Sequence, residues 1–270
     1  MLTRTLRSIY RGGKAWTGLG MARRVKPLDF MIIGFPKCGT TSLHRTLASA
    51  PTSATVPYEV QAWRFLSRRV TIAAEGSRFI KNPNLVYEPW WLSAFARGMP
   101  ECKFVLCLRD PFKMLLSFYW YRRRELDSQR GWIVNPPKYI PSFDEVLTSD
   151  AALLGASKSR VDFAPHIRRL LRFAASSRVH VVLLEEFAAQ PQTCIERLAE
   201  FLEVPELADV EATIANVNNQ KPSAEEGSLT IDPQCAAEFD RIRQTTSQLL
   251  KAVWGIDNPW WPTATPAGQV

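Results

Sequence analysis

The chain has 270 residues, 46% of them hydrophobic, enough to bury one large core and typical of one α/β domain. No apolar run reaches the roughly 18 residues that cross a bilayer, so a Golgi-type membrane anchor is not expected. The formal net charge of +8 suits an anionic ligand, an anionic polymer, a membrane surface or simply a solvated basic face.

Residues 1–28 carry Arg4, Arg7, Arg11, Lys14, Arg23, Arg24 and Lys26 and no acid. Transit peptides have this composition, and so do disordered basic tails. The expected location is cytoplasmic, or an organelle if the segment is a targeting peptide. One domain is expected over residues 29–262, followed by a tail, 263–270.

Three short apolar runs read as buried parallel strands: "FMIIGF" (30–35), "KFVLCL" (103–108) and "VHVVLL" (179–184). A helical pattern follows each: "TTSLHRTLAS", "PFKMLLSFYWYRRRE" and "QTCIERLAEFLEV". Between the first two strands, "WWLSAFARG" (90–98) reads as a further helix. Strand then helix, repeated, predicts an α/β fold with a central parallel sheet flanked by helices. Two polar stretches, 127–142 and 216–234, read as long loops of the kind that often bind or cover a ligand. An amphipathic helix near 235–254 leads to the aromatic segment "NPWWP".

The five cysteines and three histidines are scattered and show no CxxC pair or zinc spacing. No metal site is expected, and reducing surroundings fit better than a disulfide scaffold.

"GFPKCGTTS" (34–42) joins the first strand to its helix. The glycines have the spacing of a nucleotide triphosphatase loop, GxxxxGK[ST]. Thr40, however, stands where that loop has lysine, and the basic residue is Lys37, two before Gly39. The stretch still suits a phosphate. Gly39 permits a tight turn, and amides at the helix start point at an anion. Thr40, Thr41 and Ser42 add hydroxyls, and Lys37 lies over the end of the phosphate chain.

"LRDPFKMLLSFYWYRR" (108–123) carries Arg109 after a strand and Ser117 eight residues later, with Pro111 at a helix start. An arginine fork matches a terminal phosphate dianion. A serine on the next helix can reach the same oxygens.

With both motifs in this order, the chain resembles sulfotransferases that use 3′-phosphoadenosine 5′-phosphosulfate (PAPS), which have a P-loop NTPase-like fold. "PKCGTTSL" is similar to their 5′-phosphosulfate loop. Cys38 fits the variant of the carbohydrate-type and bacterial branches. RDPxxxxxSxY is similar to their 3′-phosphate motif. The resemblance extends through "VHVVLLEEFAAQPQTCIERLAEFLEV" (179–204) and "LLKAVWGIDNPWW" (249–261) and so covers about residues 29–262.

It implies an enzyme that transfers a sulfuryl group from PAPS, leaving PAP, with no obligatory Mg²⁺. The acceptor would be a hydroxyl of a carbohydrate, a lipid or a small natural product. Neither nucleic acid nor a transmembrane segment is implied, and the oligomeric state stays open. By this resemblance Lys37, Cys38, Gly39, Thr40, Thr41 and Ser42 hold the 5′-phosphosulfate, and Arg109 and Ser117 hold the 3′-phosphate.

An acceptor hydroxyl needs a base. "VPYEVQAWRF" (56–65) stands where heparan-type members carry a catalytic glutamate, which points to Glu59. "RFIKNPNLVYEP" (78–89) stands where members carry an active-site lysine before a Ser/Thr-Pro, which points to Lys81; Asn82 replaces the Ser/Thr. Lys221 stands in for a late basic loop over the donor, although the usual Lys-Gly-Arg is absent. His44, inside the loop's helix, is not the expected base. Trp63, Trp90, Trp91, Trp120 and Trp132 either line an acceptor pocket, stack on adenine or fill the core.

Two other readings stay open. A P-loop kinase or nucleotide triphosphatase would need a lysine after Gly39 and a metal-holding acid, which Asp110 can imitate. A non-catalytic binder of nucleotide or anionic polysaccharide would need only the basic surface.

Overall fold

The structure is a computed structural model that describes residues 27–66, 70–73, 75–127, 139–149, 152–213 and 231–262. The strands are β1 (Phe30–Gly34), β2 (Ser53–Ala54), β3 (Ser77–Asn82), β4 (Lys103–Leu108) and β5 (Val179–Leu183). The helices are α1 (Thr40–Ala48), α2 (Ala62–Leu66), α3 (Pro89–Gly98), α4 (Pro111–Asp127) and α5 (Phe143–Thr148). They continue with α6 (Lys158–Val161), α7 (Phe163–Leu171), α8 (Leu184–Ala189), α9 (Pro191–Leu202) and α10 (Pro233–Trp254). Within these bounds the described residues fall into two compact units, 27–108 with 166–213 and 109–165 with 231–262.

The first unit holds the sheet. Its order is β2-β3-β1-β4-β5, and every pairing is parallel. Parallel neighbours need a crossover between them, and the helices supply it. All five residues of β1 are buried, because it pairs with β3 on one side and β4 on the other. That explains its unbroken apolar run. Phe30 and Phe79 stack across the β1–β3 pair at 4.4 Å.

The register decides which side chains share a face. Ile32 lies opposite Lys81 and Ile33 opposite Asn82, so Lys81 and Asn82 take opposite faces at the end of β3. Arg178, just before β5, donates to the carbonyls of Ala96, Met99 and Cys102 at 3.1, 2.9 and 2.7 Å. It thereby satisfies the Ala96 carbonyl in the last turn of α3, which the helix leaves open, and ties that helix to the turn before β4.

The second unit is helical. Phe112 on α4 meets Phe143 on α5 and Phe239 on α10 at 6.2 and 5.2 Å. Three of its helices start on a local signal. Ser142 and Glu145 form a capping box on α5. Asp232 accepts from the amides of Gln234 and Cys235 at the start of α10. Asp110 accepts from the amide of Lys113 at 2.9 Å.

The predicted strands and helices are present with shifted ends. The structure adds β2 and β3, and places α8 between β5 and α9. Most of the two predicted loops, and all of residues 1–26 and 263–270, lie outside the described residues.

Candidate active site

The loop between β1 and α1 is shaped by three residues with left-handed backbone. Gly34 has φ 134°, Lys37 67° and Gly39 81°. A Cβ at Gly34 would lie 2.6 Å from the backbone of Cys107, so β1 can approach β4 only with glycine there. A Cβ at Gly39 would lie 2.5 Å from Leu184 Cδ1, at the start of α8. Gly39 directly precedes α1, whose first amides lack intrahelical partners. Non-glycine left-handed backbone is uncommon and collects at functional sites. Lys37 is such a residue.

The side chains of the loop divide. Cys38, Thr40 and Ser42 are buried, while Lys37 and Thr41 are half-buried. The Cys38 thiol is thus not presented to solvent.

Lys81 lies below the loop. It is 4% exposed, and its Nζ donates to Thr41 Oγ1 at 3.0 Å. Glu59 Oε1 lies 3.9 Å from the same Nζ, an ion-pair distance. Its backbone is placed as well, because Glu59 bridges Lys81 in parallel and the amide of Val60 donates to the Lys81 carbonyl at 2.9 Å. The Glu59 side chain is 52% exposed. The structure thus gathers three of the predicted residues, from the loop helix, from β3 and from the segment after α1. Burial lowers the pKa of Lys81, and the charge of Glu59 works the other way.

In the second unit, Arg109 and Ser117 are both half-buried. Arg109 precedes α4 and Ser117 stands on it. Between them Asp110 forms a buried ion pair with Arg243, with Nε and Nη2 of the arginine 2.6 and 3.3 Å from the two carboxylate oxygens. Arg243 also holds Asp240 at 2.7 Å.

Residues 27–232 match the family described as the sulfotransferase domain. The chain belongs to the sulfotransferase family.

Its fold agrees. A sulfotransferase from Alicyclobacillus acidocaldarius superposes with a TM-score of 0.64 at 19% identity, covering 87% of this chain and 98% of that one. The sulfotransferase domain of the Synechococcus PCC 7002 olefin synthase gives 0.49 at 17% identity, over 87% and 96%. A mouse sulfotransferase solved in complex with PAP gives 0.41 at 14% identity, over 92% and 74%. Comparison with curated proteins gives no significant match.

His44 lies inside α1, 2% exposed, with Nε2 3.2 Å from Thr55 Oγ1 and its ring edge-on to Phe79 at 5.5 Å. Desolvation by burial, helped by the nearby Lys81 charge, lowers its pKa to about 4. It is a packed, neutral ring. Lys221 and Trp132 lie outside the described residues. Among the described residues no group of three or more His, Cys, Asp or Glu is placed to hold a metal ion, and no helix is long and apolar enough to cross a membrane.

Sequence reasoning missed one cluster. The Phe35 ring, at the root of the loop, meets Tyr87 edge-on at 5.6 Å and His166 at 5.9 Å. Tyr87 and His166 meet at 4.8 Å. Tyr87 closes a short turn that begins three residues after β3. Its one sequence signal was position, shortly after Lys81. His166, 79 residues further on, carried none.

Proposed function

We propose that this sulfotransferase moves a sulfuryl group from PAPS to a hydroxyl of a carbohydrate, lipid or small natural-product acceptor. The observation that carries the reading is the junction at Lys81, where one buried ammonium meets both the first turn of the helix that follows the loop and the candidate base.

Lys37 and the amides at the start of α1 hold the 5′-phosphosulfate. Thr40, Thr41 and Ser42 supply hydroxyls, and Lys221, outside the described residues, is a further candidate contact to the donor. Arg109 and Ser117 hold the 3′-phosphate. The acceptor oxygen attacks sulfur as the bond from sulfur to the bridging phosphate oxygen breaks. Glu59 takes the hydroxyl proton, so the sulfate ester and PAP are the products. Lys37 and Lys81 offset the negative charge that develops on the departing phosphate, the kind of electrostatic help that counts most in a site shielded from water.

The kinase reading loses its metal-holding candidate, because Asp110 is engaged with Arg243 and the start of α4. The residues of the loop fit a donor that carries its own anion to a lysine two places before Gly39.

Titration calorimetry in the presence of a chelator tests the donor. PAP is expected to bind on the order of tenfold or more tighter than adenosine 5′-phosphate, the worth of charge-assisted bonds to one phosphate. Arg109→Ala removes that preference. Equal affinity for the two nucleotides, or binding of ATP that requires Mg²⁺, contradicts the assignment.

A further inference from the structure

Glu59 is placed by a stretch that does not follow the sheet. β2 pairs with β3 through Ser53–Ser77 and Ala54–Arg78, and the next pairing is Glu59 with Lys81. Residues 55–58 therefore stand against residues 79–80, four against two. The chain leaves the sheet edge after Ala54 and returns at Glu59. Within this excursion Pro57 has no amide to donate, and Pro57 and Tyr58 are exposed. A return one residue early or late would turn the Glu59 side chain to the opposite side.

One buried side chain of the loop helix meets the excursion. Thr41 and His44 are three residues apart on α1 and share a face. Phe79 and Lys81 are two apart on β3 and share a face. Thr41 accepts from Lys81, and the His44 ring lies edge-on to Phe79, so these two faces rest on each other. From there His44 Nε2 reaches Thr55 Oγ1 at 3.2 Å, and the ring makes a second hydrogen bond with the Val56 backbone. Burial, then the charge of Lys81, keeps the ring neutral, with a pKa of about 4, so it brings no second cation to Lys81. The helix that follows the anion loop thus also holds the segment that carries Glu59.

We propose that His44 is a positioning residue for Glu59. Through Thr55 it fixes the excursion so that Glu59 returns to β3 opposite Lys81, in register with the loop that holds the donor. His44 acts through Thr55 and touches neither donor nor acceptor. This rests on the sulfuryl-transfer reading, in which Glu59 takes the acceptor proton.

The test removes the contact from either side. Thr55→Val deletes the hydroxyl with little change of shape, and Thr55→Ser keeps it. Transfer from PAPS is followed on a panel of phenol and sugar acceptors, well below the melting temperature. Thr55→Val is expected to lower kcat about tenfold, the worth of one hydrogen bond, with PAP affinity unchanged. Thr55→Ser keeps most of the rate. His44→Leu/Thr55→Val is expected to be no slower than His44→Leu, because both changes remove one contact. In Glu59→Gln, Thr55→Val costs nothing further, since the group it positions is gone. Full kcat in Thr55→Val, additive losses in the double variant, or the same fractional loss with and without Glu59 overturns the proposal. If His44→Leu does not fold, the Thr55 variants carry the test.

A second readout needs no turnover. Burial lowers the Lys81 pKa and Glu59 raises it. NMR of labelled lysine, with Lys81 assigned by its loss in Lys81→Arg, is expected to show this pKa shifted down in Thr55→Val as it is in Glu59→Gln. Arg45 and Cys107, which also act on Lys81, stay in place in both variants. If Glu59→Gln transfers at the wild-type rate, the base assignment fails and this pKa decides the register. A Lys81 pKa in Thr55→Val equal to that of wild type then overturns the role of His44.

Discussion

Lys81 donates a hydrogen bond of 3.0 Å to the hydroxyl of Thr41, so the end of β3 is tied to the first turn of the helix behind the anion loop. The same ammonium lies 3.9 Å from Glu59. One charge thus links two elements. Lys81→Met is expected to lower kcat by about a hundredfold, the loss typical of one electrostatic contact made in the transition state. Lys81→Arg retains part of the rate. Because burial lowers the Lys81 pKa, the charged form is lost earlier than for an ordinary lysine as pH rises. The alkaline limb of the wild-type rate profile should fall at lower pH than that of Lys81→Arg, since arginine stays charged. Identical alkaline limbs would place the charge elsewhere.

Gly39 is held by conformation and by space at once. Gly39→Ala is expected to destabilise the fold by about 1–2 kcal/mol through its left-handed backbone, and to weaken PAP binding further. The clash is with the flexible end of Leu184. Combining the change with Leu184→Ala therefore relieves only the contact, and the PAP affinity stays low. Recovery of full affinity in the double variant would show that space, not backbone direction, was limiting. Calorimetry on the three variants separates these.

Asp110 and Arg243 form the buried ion pair of the second unit. The pair is almost inaccessible, with side chains 1% and 6% exposed. Removing one partner strands the other charge, so Asp110→Ala is expected to cost about 3–5 kcal/mol in urea unfolding. It also removes the acceptor for the Lys113 amide, worth about 1 kcal/mol. Asp110→Leu with Arg243→Met should recover most of the loss. If Asp110→Ala were harmless to stability yet abolished a Mg²⁺-dependent activity, the carboxylate would be a metal ligand after all.

Three of the five strands could be read directly, because buried parallel strands leave unbroken apolar runs. β3 could not. It begins with Ser77 and Arg78 and ends with Lys81 and Asn82, so only Phe79 and Ile80 mark it as a strand. β2 is two residues long and has no pattern to detect. Helix α8 was hidden because "LLEEFAA" continues the apolar run of β5. The tight turn between β1 and α1 was legible from its glycine spacing, and both glycines have positive φ. The partners of Lys81 were not, since they depend on the register Ile32–Lys81 rather than on sequence distance. The same holds for Asp110 and Arg243, which are 133 residues apart.

Stability should depend on pH through His44, which is buried, and His180, which is half-buried. Desolvation lowers both to about 4, helped by the charges of Lys81 and Arg197 respectively. The unfolded chain titrates near 6.5, so between pH 6.5 and about 4 it binds more protons than the folded one. Stability therefore falls as pH drops through that window. Thermal melts from pH 7 to 4 should show the decline, and His44→Gln/His180→Gln should flatten it. An equally steep decline in the double variant assigns the effect to other groups.

Sulfuryl transfer itself is the most direct measurement. Purified protein is supplied with PAPS carrying radioactive sulfur and the same phenol and sugar acceptors, in chelator, beside Glu59→Gln and Lys37→Ala. The expected result is labelled sulfate on an acceptor hydroxyl with equimolar PAP, reduced at least a hundredfold in Lys37→Ala and in Glu59→Gln, since general-base help is worth about 10²–10⁴. Transfer that continues undiminished in both variants would contradict the site, and phosphoryl transfer from ATP without any sulfuryl transfer would contradict the donor.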